Sequence, residues 1–205
     1  MEKLQPSYLK SDVPAGRCGD WVVERFRVPE PPDPKQDLRP HWSRSKAGRY
    51  TRLSVAATVM MTDTYEEWWT QKEAVEQACR RGGRVLISGL GLGLVAESIF
   101  RTPGSAVEHI TIVEASSDVI RLVGPYLAGR YGERLVIEQA SAFEWRPPAG
   151  VHYTVGWHDI WANPYDQERI FPEVRRLESR YSGCCDWQGF WPLECAAAAE
   201  ASGRD

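Results

Sequence analysis

Alternating glycines follow a short apolar run in the segment RVLISGLGLG, residues 84–93. Glycine lacks a Cβ atom, so the backbone can turn sharply after a buried strand and approach a ligand closely. The helix that follows points its free amide groups into the same space. A second strand-like run, HITIVEASSD, places Glu114 at a strand end 21 residues after Gly93, close to the spacing at which a carboxylate meets a ribose hydroxyl. Together these features predict a site for a cofactor that carries a ribonucleoside.

The periodicity of the surrounding sequence predicts the elements that position this loop. Trp21–Val28 reads as one strand and residues 50–61 as another, and the two can pair as an antiparallel hairpin. Thr64 followed by Glu67 forms a capping-box pattern at the start of a helix that reaches Arg81. Beyond it strands and helices alternate, which implies parallel strands joined by right-handed helical crossovers. The predicted segments are strand 84–88, helix 92–101, strand 109–113, helix 117–130, strand 135–138, strand 152–158 and a helical segment to residue 181.

Prolines predict further boundaries in the second half of the chain. Pro125 is expected to kink the helix that contains it, and Pro172 to divide the last helical segment in two. Asn163-Pro164 reads as an N-cap followed by a first-turn proline. Only residues 186–193 remain for another strand, so the C-terminal strands are expected to be reduced. The alanine-rich end, residues 195–205, reads as a frayed helix or a disordered tail.

Composition narrows the class of protein. A length of 205 residues suits one domain with an appendage. The net charge of −3, with mixed signs, argues against a nucleic-acid partner. No apolar run reaches the roughly 18 to 20 residues that span a bilayer, and no secretion signal is recognisable, so we expect a cytoplasmic protein without a membrane partner. The five cysteines have no CxxC or Cys/His spacing, so neither a metal site nor a disulfide framework is predicted.

Taken in order, the GLGLG loop, the Glu114 strand end and the motif HDIW resemble class I S-adenosylmethionine-dependent methyltransferases, in particular their spermidine-synthase-like branch. The resemblance covers about residues 50–165 and implies S-adenosylmethionine as the cofactor, with Glu114 accepting hydrogen bonds from both ribose hydroxyls. At residue 141, relatives often carry an acid that reads the adenine amino group, and Ser141 departs from that pattern. The cofactor-binding residues that the resemblance implies are Gly89, Leu90, Gly91, Gly93, Glu114, Ala115, Ser141 and Ala142.

The same resemblance places Asp159, at the end of the fourth strand, where the family keeps its active-site acid. Sulfonium transfer needs proximity more than a strong catalyst, but an acceptor amine or hydroxyl can need a base. His158 is the competing candidate because histidine titrates near neutrality. Successive strand residues point to opposite faces, so only one of the two is expected to enter the site. Candidate substrate contacts are Trp161, whose aromatic face suits a cation, and Asp63 at the mouth of the first helix, where capping is an equally good interpretation.

We therefore predict an α/β fold with a Rossmann-like, mostly parallel sheet, helices on both faces, an N-terminal β-hairpin and reduced C-terminal strands. The predicted units are an N-terminal extension (1–62), an S-adenosylmethionine-binding domain (63–195) and a tail (196–205).

The predicted activity is methyl transfer to a small molecule or an exposed side chain. Aminopropyl transfer ranks second, because polyamine synthases of the spermidine-synthase-like branch usually place an acid in the glycine loop to hold a free amine, and Leu92 stands there. The final antiparallel hairpin that often forms the acceptor wall in the family that the chain resembles is expected to be missing or reduced here. This leaves three alternatives: an open site, a homodimer in which the partner supplies that wall, or a non-catalytic scaffold. A nicotinamide-binding domain is disfavoured, since no second catalytic domain follows the loop.

Overall fold

The computed structural model describes residues 6–30 and 45–202, so parts of the predicted extension and tail lie outside the described residues. The strands in chain order are β1 (Gly16–Cys18), β2 (Trp21–Val28), β3 (Gly48–Val55), β4 (Thr58–Thr62), β5 (Gly83–Ser88), β6 (Val107–Glu114), β7 (Leu135–Gln139), β8 (Val155–His158) and β9 (Gln188–Phe190). The helices are α1 (Tyr65–Arg81), α2 (Leu94–Arg101), α3 (Ser117–Tyr131), α4 (Gln167–Tyr181) and α5 (Trp191–Ser202). None of these described helices has the length and apolar character needed to cross a bilayer.

Strands β5 to β9 form a parallel sheet in the order β7-β6-β5-β8-β9. Its central strands have buried, mostly apolar middle sections that include Val85, Leu86 and Ile110, as expected for a sheet with both faces covered. The helix α1 packs against α2 and α5, and α3 packs against β7. The predicted α/β fold with a Rossmann-like sheet is confirmed. Within the described residues this sheet ends at β9, so the predicted reduction of the C-terminal strands is also confirmed.

Strands β1 to β4 form a separate antiparallel sheet in chain order. The predicted pairing of β2 with β3 is confirmed, in a register that runs from Trp21 opposite Val55 to Val28 opposite Gly48. The prediction of a single strand over residues 50–61 is wrong, because the chain turns at Ala56 and returns as β4. Ala56 has a φ of 50°, and its amide donates to the carbonyl of Asp20. An alanine pair carries none of the usual turn signals, so the sequence pattern passes over this reversal.

Three predicted boundaries differ from the structure. The capping box is absent, because the Thr64 hydroxyl pairs with the Thr62 hydroxyl at 2.8 Å and makes no bond to a helix amide. Helix α4 starts after Asp166, while Asn163 accepts a hydrogen bond from the amide of Tyr165 in a preceding turn. Pro172 does not divide α4, which runs without a break from Gln167 to Tyr181.

The carboxyl ends of four neighbouring parallel strands meet along one edge of the sheet. Gly89 follows β5, Glu114 ends β6, Ser141 follows β7 and Asp159 follows β8. Backbone hydrogen bonds continue past the strand ends, from the Gly89 amide to Val113 and from the Asp159 amide to Ser88, both at 2.9 Å. This edge of an open α/β sheet is where ligands bind, and the extended ladder fixes the relative positions of the residues there.

Candidate cofactor and active site

The glycine loop after β5 has a backbone that other residues would not tolerate. Gly89 has a φ of +95°, and a Cβ atom there would collide with the carbonyl oxygen of Asp159. Gly91 has a φ of +51°, and a Cβ atom there would collide with the sulfur of Met61 on β4. The thioether of Met61 also accepts a hydrogen bond from the amide of Leu92 at 3.0 Å. The glycines therefore let the loop lie directly against β4 and the end of β8.

Glu114 is bonded to the backbone on both sides of the site. Its Oε2 accepts from the amide of Leu90 at 2.8 Å, and its Oε1 accepts from the amide of Ser116 at 2.7 Å. Each carboxylate oxygen can accept more than one hydrogen bond, so both keep capacity for a ligand hydroxyl. The two amides therefore fix the orientation of the carboxylate beside the glycine loop.

A cavity of about 350 Å³ lies between the two sheets and brings most of the predicted residues together. The volume is in the range of small-molecule sites, roughly 300–1,000 Å³. The antiparallel sheet contributes an apolar wall that contains Trp21, Leu53, Met60 and Met61. The predicted site residues that line the cavity are Gly89, Leu90, Gly91, Gly93, Glu114, Ala115, Ser141, Ala142, Asp159 and Trp161. The predicted residues His158 and Asp63 are not part of the lining.

Asp159, which lies beside the glycine loop, is the candidate for the base that the sequence predicted. Its Oδ2 accepts a hydrogen bond from Nε2 of Gln71 on α1 at 3.1 Å. Burial raises the pKa of Asp159 to about 7, because a desolvated carboxylate is less stable than a carboxylic acid. A group that titrates near neutrality on a cavity wall can accept a proton from a ligand.

His158 lies on the other side of β8, in the core, where the structure places it out of reach of the cavity. Its ring is fully buried and stacks between Tyr181 and Phe190, with centroid distances of 5.1 and 4.9 Å. Its Nε2 donates to Oε1 of Gln188 at 3.2 Å, and its Nδ1 accepts from the hydroxyl of Ser88 at 2.9 Å. Burial lowers the pKa of His158 to about 4, so the ring is neutral and both nitrogens are used by the fold. Asp159, and not His158, therefore faces the cavity.

Asp63 neither caps α1 nor lines the cavity. It is 1% exposed, and its two oxygens accept from the amides of Thr51 at 2.6 Å and Ser11 at 2.9 Å. Its position at the end of β4 thus serves to join the N-terminal segment to β3. Trp161, by contrast, lines the cavity, while its Nε1 donates to Glu173 on α4 at 2.6 Å.

Two residues of α1 next to the site were missed by sequence reasoning. Glu67, which the sequence pattern assigns to a capping box, accepts from Gln71 at 3.2 Å through Oε1. Burial, and secondly the negative charge of Asp159, raises the pKa of Glu67 to about 8. The two residues lie four apart on one helix face, and this spacing is the only signal that could have paired them. Among the described residues, no group of three or more His, Cys, Asp or Glu side chains could hold a metal ion.

No protein-family model and no curated protein matches the chain. Among solved structures, it is similar to spermidine synthase from Thermotoga maritima, with 18% identity and a TM-score of 0.50 over 82% of this chain and 63% of that chain. It is also similar to the YcgJ protein from Bacillus subtilis, with 20% identity and a TM-score of 0.39 over 53% of this chain and 45% of that chain. A third similar structure is a dimethyladenosine transferase from Plasmodium falciparum, with 15% identity and a TM-score of 0.35 over 50% of this chain and 35% of that chain. The chain spans less than two thirds of the length of each. The chain thus shares the fold of spermidine synthase over 82% of its length.

Proposed function

We propose that this protein binds S-adenosylmethionine and transfers its methyl group to a small molecule or an exposed side chain. The observation that carries the proposal is the position of Glu114, which lines the cavity beside the glycine loop with each oxygen oriented by one backbone amide. The fold shared with spermidine synthase supports the same class of cofactor.

The residues of the cavity fit the parts of this cofactor. Glu114 would hold the ribose through the free capacity of its two oxygens, and Ala115 and Ser141 would lie at the adenine. Bound S-adenosylmethionine supplies an electrophilic methyl group whose thioether leaving group departs readily. Asp159, on the same cavity wall, would accept the proton that the acceptor loses. Trp161 would offer an aromatic face to the acceptor.

Methyl transfer is favoured over aminopropyl transfer by the composition of the loop. Decarboxylated S-adenosylmethionine carries a free ammonium group, which needs a nearby carboxylate once it leaves water. The loop contains no acid, and the side chain of Leu92 is fully buried. Aminopropyl transfer remains the second candidate because the fold is that of spermidine synthase.

Calorimetry with three ligands tests the proposal. We expect S-adenosylmethionine to bind and decarboxylated S-adenosylmethionine to bind at least tenfold more weakly, about 1.4 kcal/mol. Equal or tighter binding of the decarboxylated form would favour aminopropyl transfer. Binding of a nicotinamide dinucleotide, with neither adenosyl compound bound, would overturn the assignment of the cofactor.

A further inference from the structure

Behind Asp159, two side chains of α1 form a buried polar cluster with it. Gln71 is 2% exposed and uses its Nε2 for both carboxyl groups, donating to Asp159 Oδ2 at 3.1 Å and to Glu67 Oε1 at 3.2 Å. An amide nitrogen has two hydrogens, so these two bonds use its whole donor capacity. The two carboxyl groups are therefore held on either side of a single amide.

Two negative charges in this position are unfavourable. Both carboxyl groups are desolvated, and the charge of Asp159 raises the pKa of Glu67 further. Because an interaction between two charges is reciprocal, Glu67 disfavours the ionised form of Asp159 in turn. The neighbouring titratable groups add no compensation: Glu66 contributes more negative charge, and burial with the charges of Glu67 and Asp159 raises the pKa of the Cys195 thiol on α5 to about 12.

We propose that Glu67 is a positioning residue for Asp159, and that the two carboxyl groups, joined by the Gln71 amide nitrogen, hold only one proton between them near neutral pH. The inference rests on the proposed methyl transfer, in which Asp159 is the base. A shared proton leaves one negative charge in the cluster, which a desolvated site accommodates better than two. Oε1 of Gln71 is buried without a hydrogen-bond partner, and a half-turn of the amide would present it as an acceptor to a protonated carboxyl group of the cluster.

When the cluster has lost the shared proton, the charge of Glu67 strengthens Asp159 as a base. During transfer, the lone pair of the acceptor forms the bond to the methyl carbon, the electron pair of the broken carbon–sulfur bond stays on sulfur, and the proton of the acceptor passes to Asp159. A carboxylate with a second negative charge nearby holds that proton more tightly than an isolated one. Glu67 thus acts through Asp159 and does not line the cavity itself.

Carbon-13 NMR titration of the full-length protein, labelled at the aspartate carboxyl carbon, tests this arrangement directly. The resonance of Asp159 is identified by its loss in Asp159→Asn. Glu67→Gln removes the charge and should lower the titration midpoint of Asp159 by about one pH unit. Gln71→Met removes the hydrogen bond to the carboxylate and should raise the midpoint. Glu67→Asp keeps the charge and should leave the midpoint closer to wild type than Glu67→Gln does.

Glu76→Gln is the matched control, since it removes one charge from the same helix at a residue that pairs with Lys72 instead. It should leave the Asp159 midpoint unchanged. The inference is overturned if Glu67→Gln does not lower the midpoint, or if Glu76→Gln lowers it equally. Calorimetry with S-adenosylhomocysteine separates this failure from failure of the proposed function: binding with an unmoved midpoint refutes only the shared proton, whereas absence of binding refutes the proposed cofactor.

Discussion

The proposed contact between Glu114 and a ribose can be tested separately from the part that Glu114 plays in the fold. Glu114→Ala alone is ambiguous, because it also deprives the amides of Leu90 and Ser116 of their acceptor. Each lost backbone partner costs about 1–3 kcal/mol where the amide is buried. The test should therefore change the ribose of the ligand as well as residue 114 of the protein.

We predict that wild-type protein binds S-adenosylhomocysteine more tightly than its 2′-deoxy analogue, and that Glu114→Ala does not discriminate between them. A hydrogen bond to a charged group contributes about 1.5–3 kcal/mol, which corresponds to roughly ten- to hundredfold in the dissociation constant. The ratio of the two dissociation constants is taken within each protein, so damage to the loop affects both ligands alike.

Isothermal titration calorimetry measures both ratios. Glu138→Ala is the matched control: it removes an exposed carboxylate from β7, the strand next to Glu114, and should leave the ratio at the wild-type value. If wild type binds both ligands equally, or if Glu114→Ala keeps the discrimination, Glu114 does not hold the sugar and the reasoning from the strand end is refuted.

Three further predictions concern the fold around the site. Gly89→Ala should lower the free energy of unfolding by about 2–5 kcal/mol, because the backbone is strained and the new Cβ atom collides with a rigid carbonyl. Gly129→Ala on α3, with open space around it, should raise the free energy of unfolding by about 0.5–1 kcal/mol. Urea denaturation compares the two variants. Asp63→Ala should lower the free energy of unfolding by about 2–5 kcal/mol in the same assay, since two buried amides lose their acceptor. A loss below about 1 kcal/mol would contradict the role of Asp63 in joining the N-terminal segment to β3. Because the pKa values of Asp159 and Glu67 are raised, the folded state holds protons that the unfolded state releases. The free energy of unfolding should therefore fall as the pH rises from the ordinary carboxyl range through pH 7 to 8. The slope is at most about 1.4 kcal/mol per pH unit for each proton. Between pH 6 and 8 this slope should be shallower in Asp159→Asn, and an unchanged slope would contradict the burial of that charge.

The sequence was sufficient to predict the parallel sheet and the residues at its edge. Buried strands are apolar over their whole length and helices repeat every 3.6 residues, so both can be recognised from local pattern. Once the strands are parallel, topology brings their carboxyl ends together. The glycine loop and Glu114 were predicted from their spacing, and Ser141 and Asp159 from the family resemblance. The strand alternation also predicted that only one of His158 and Asp159 enters the site.

The sequence did not predict contacts that depend on how separate elements dock. Gln71 binds both Glu67 and Asp159 only because α1 lies against β8, whereas the capping pattern that Glu67 satisfies is purely local. Asp63 stands next to the helix start, yet the amides that it binds come from residues 11 and 51. The turn at Ala56 is enforced by strand pairing on both sides, and no residue preference marks it.

The thioether of Met61 is a weak hydrogen-bond acceptor for the glycine loop, one that a stronger acceptor could replace. Sulfur accepts a hydrogen bond only weakly, so it satisfies the Leu92 amide while binding it less firmly than an oxyanion would. A ligand with a carboxylate can therefore compete for that amide at little energetic cost. We therefore expect the antiparallel sheet, which precedes the Rossmann-like domain in the chain, to influence how tightly the loop binds the proposed cofactor.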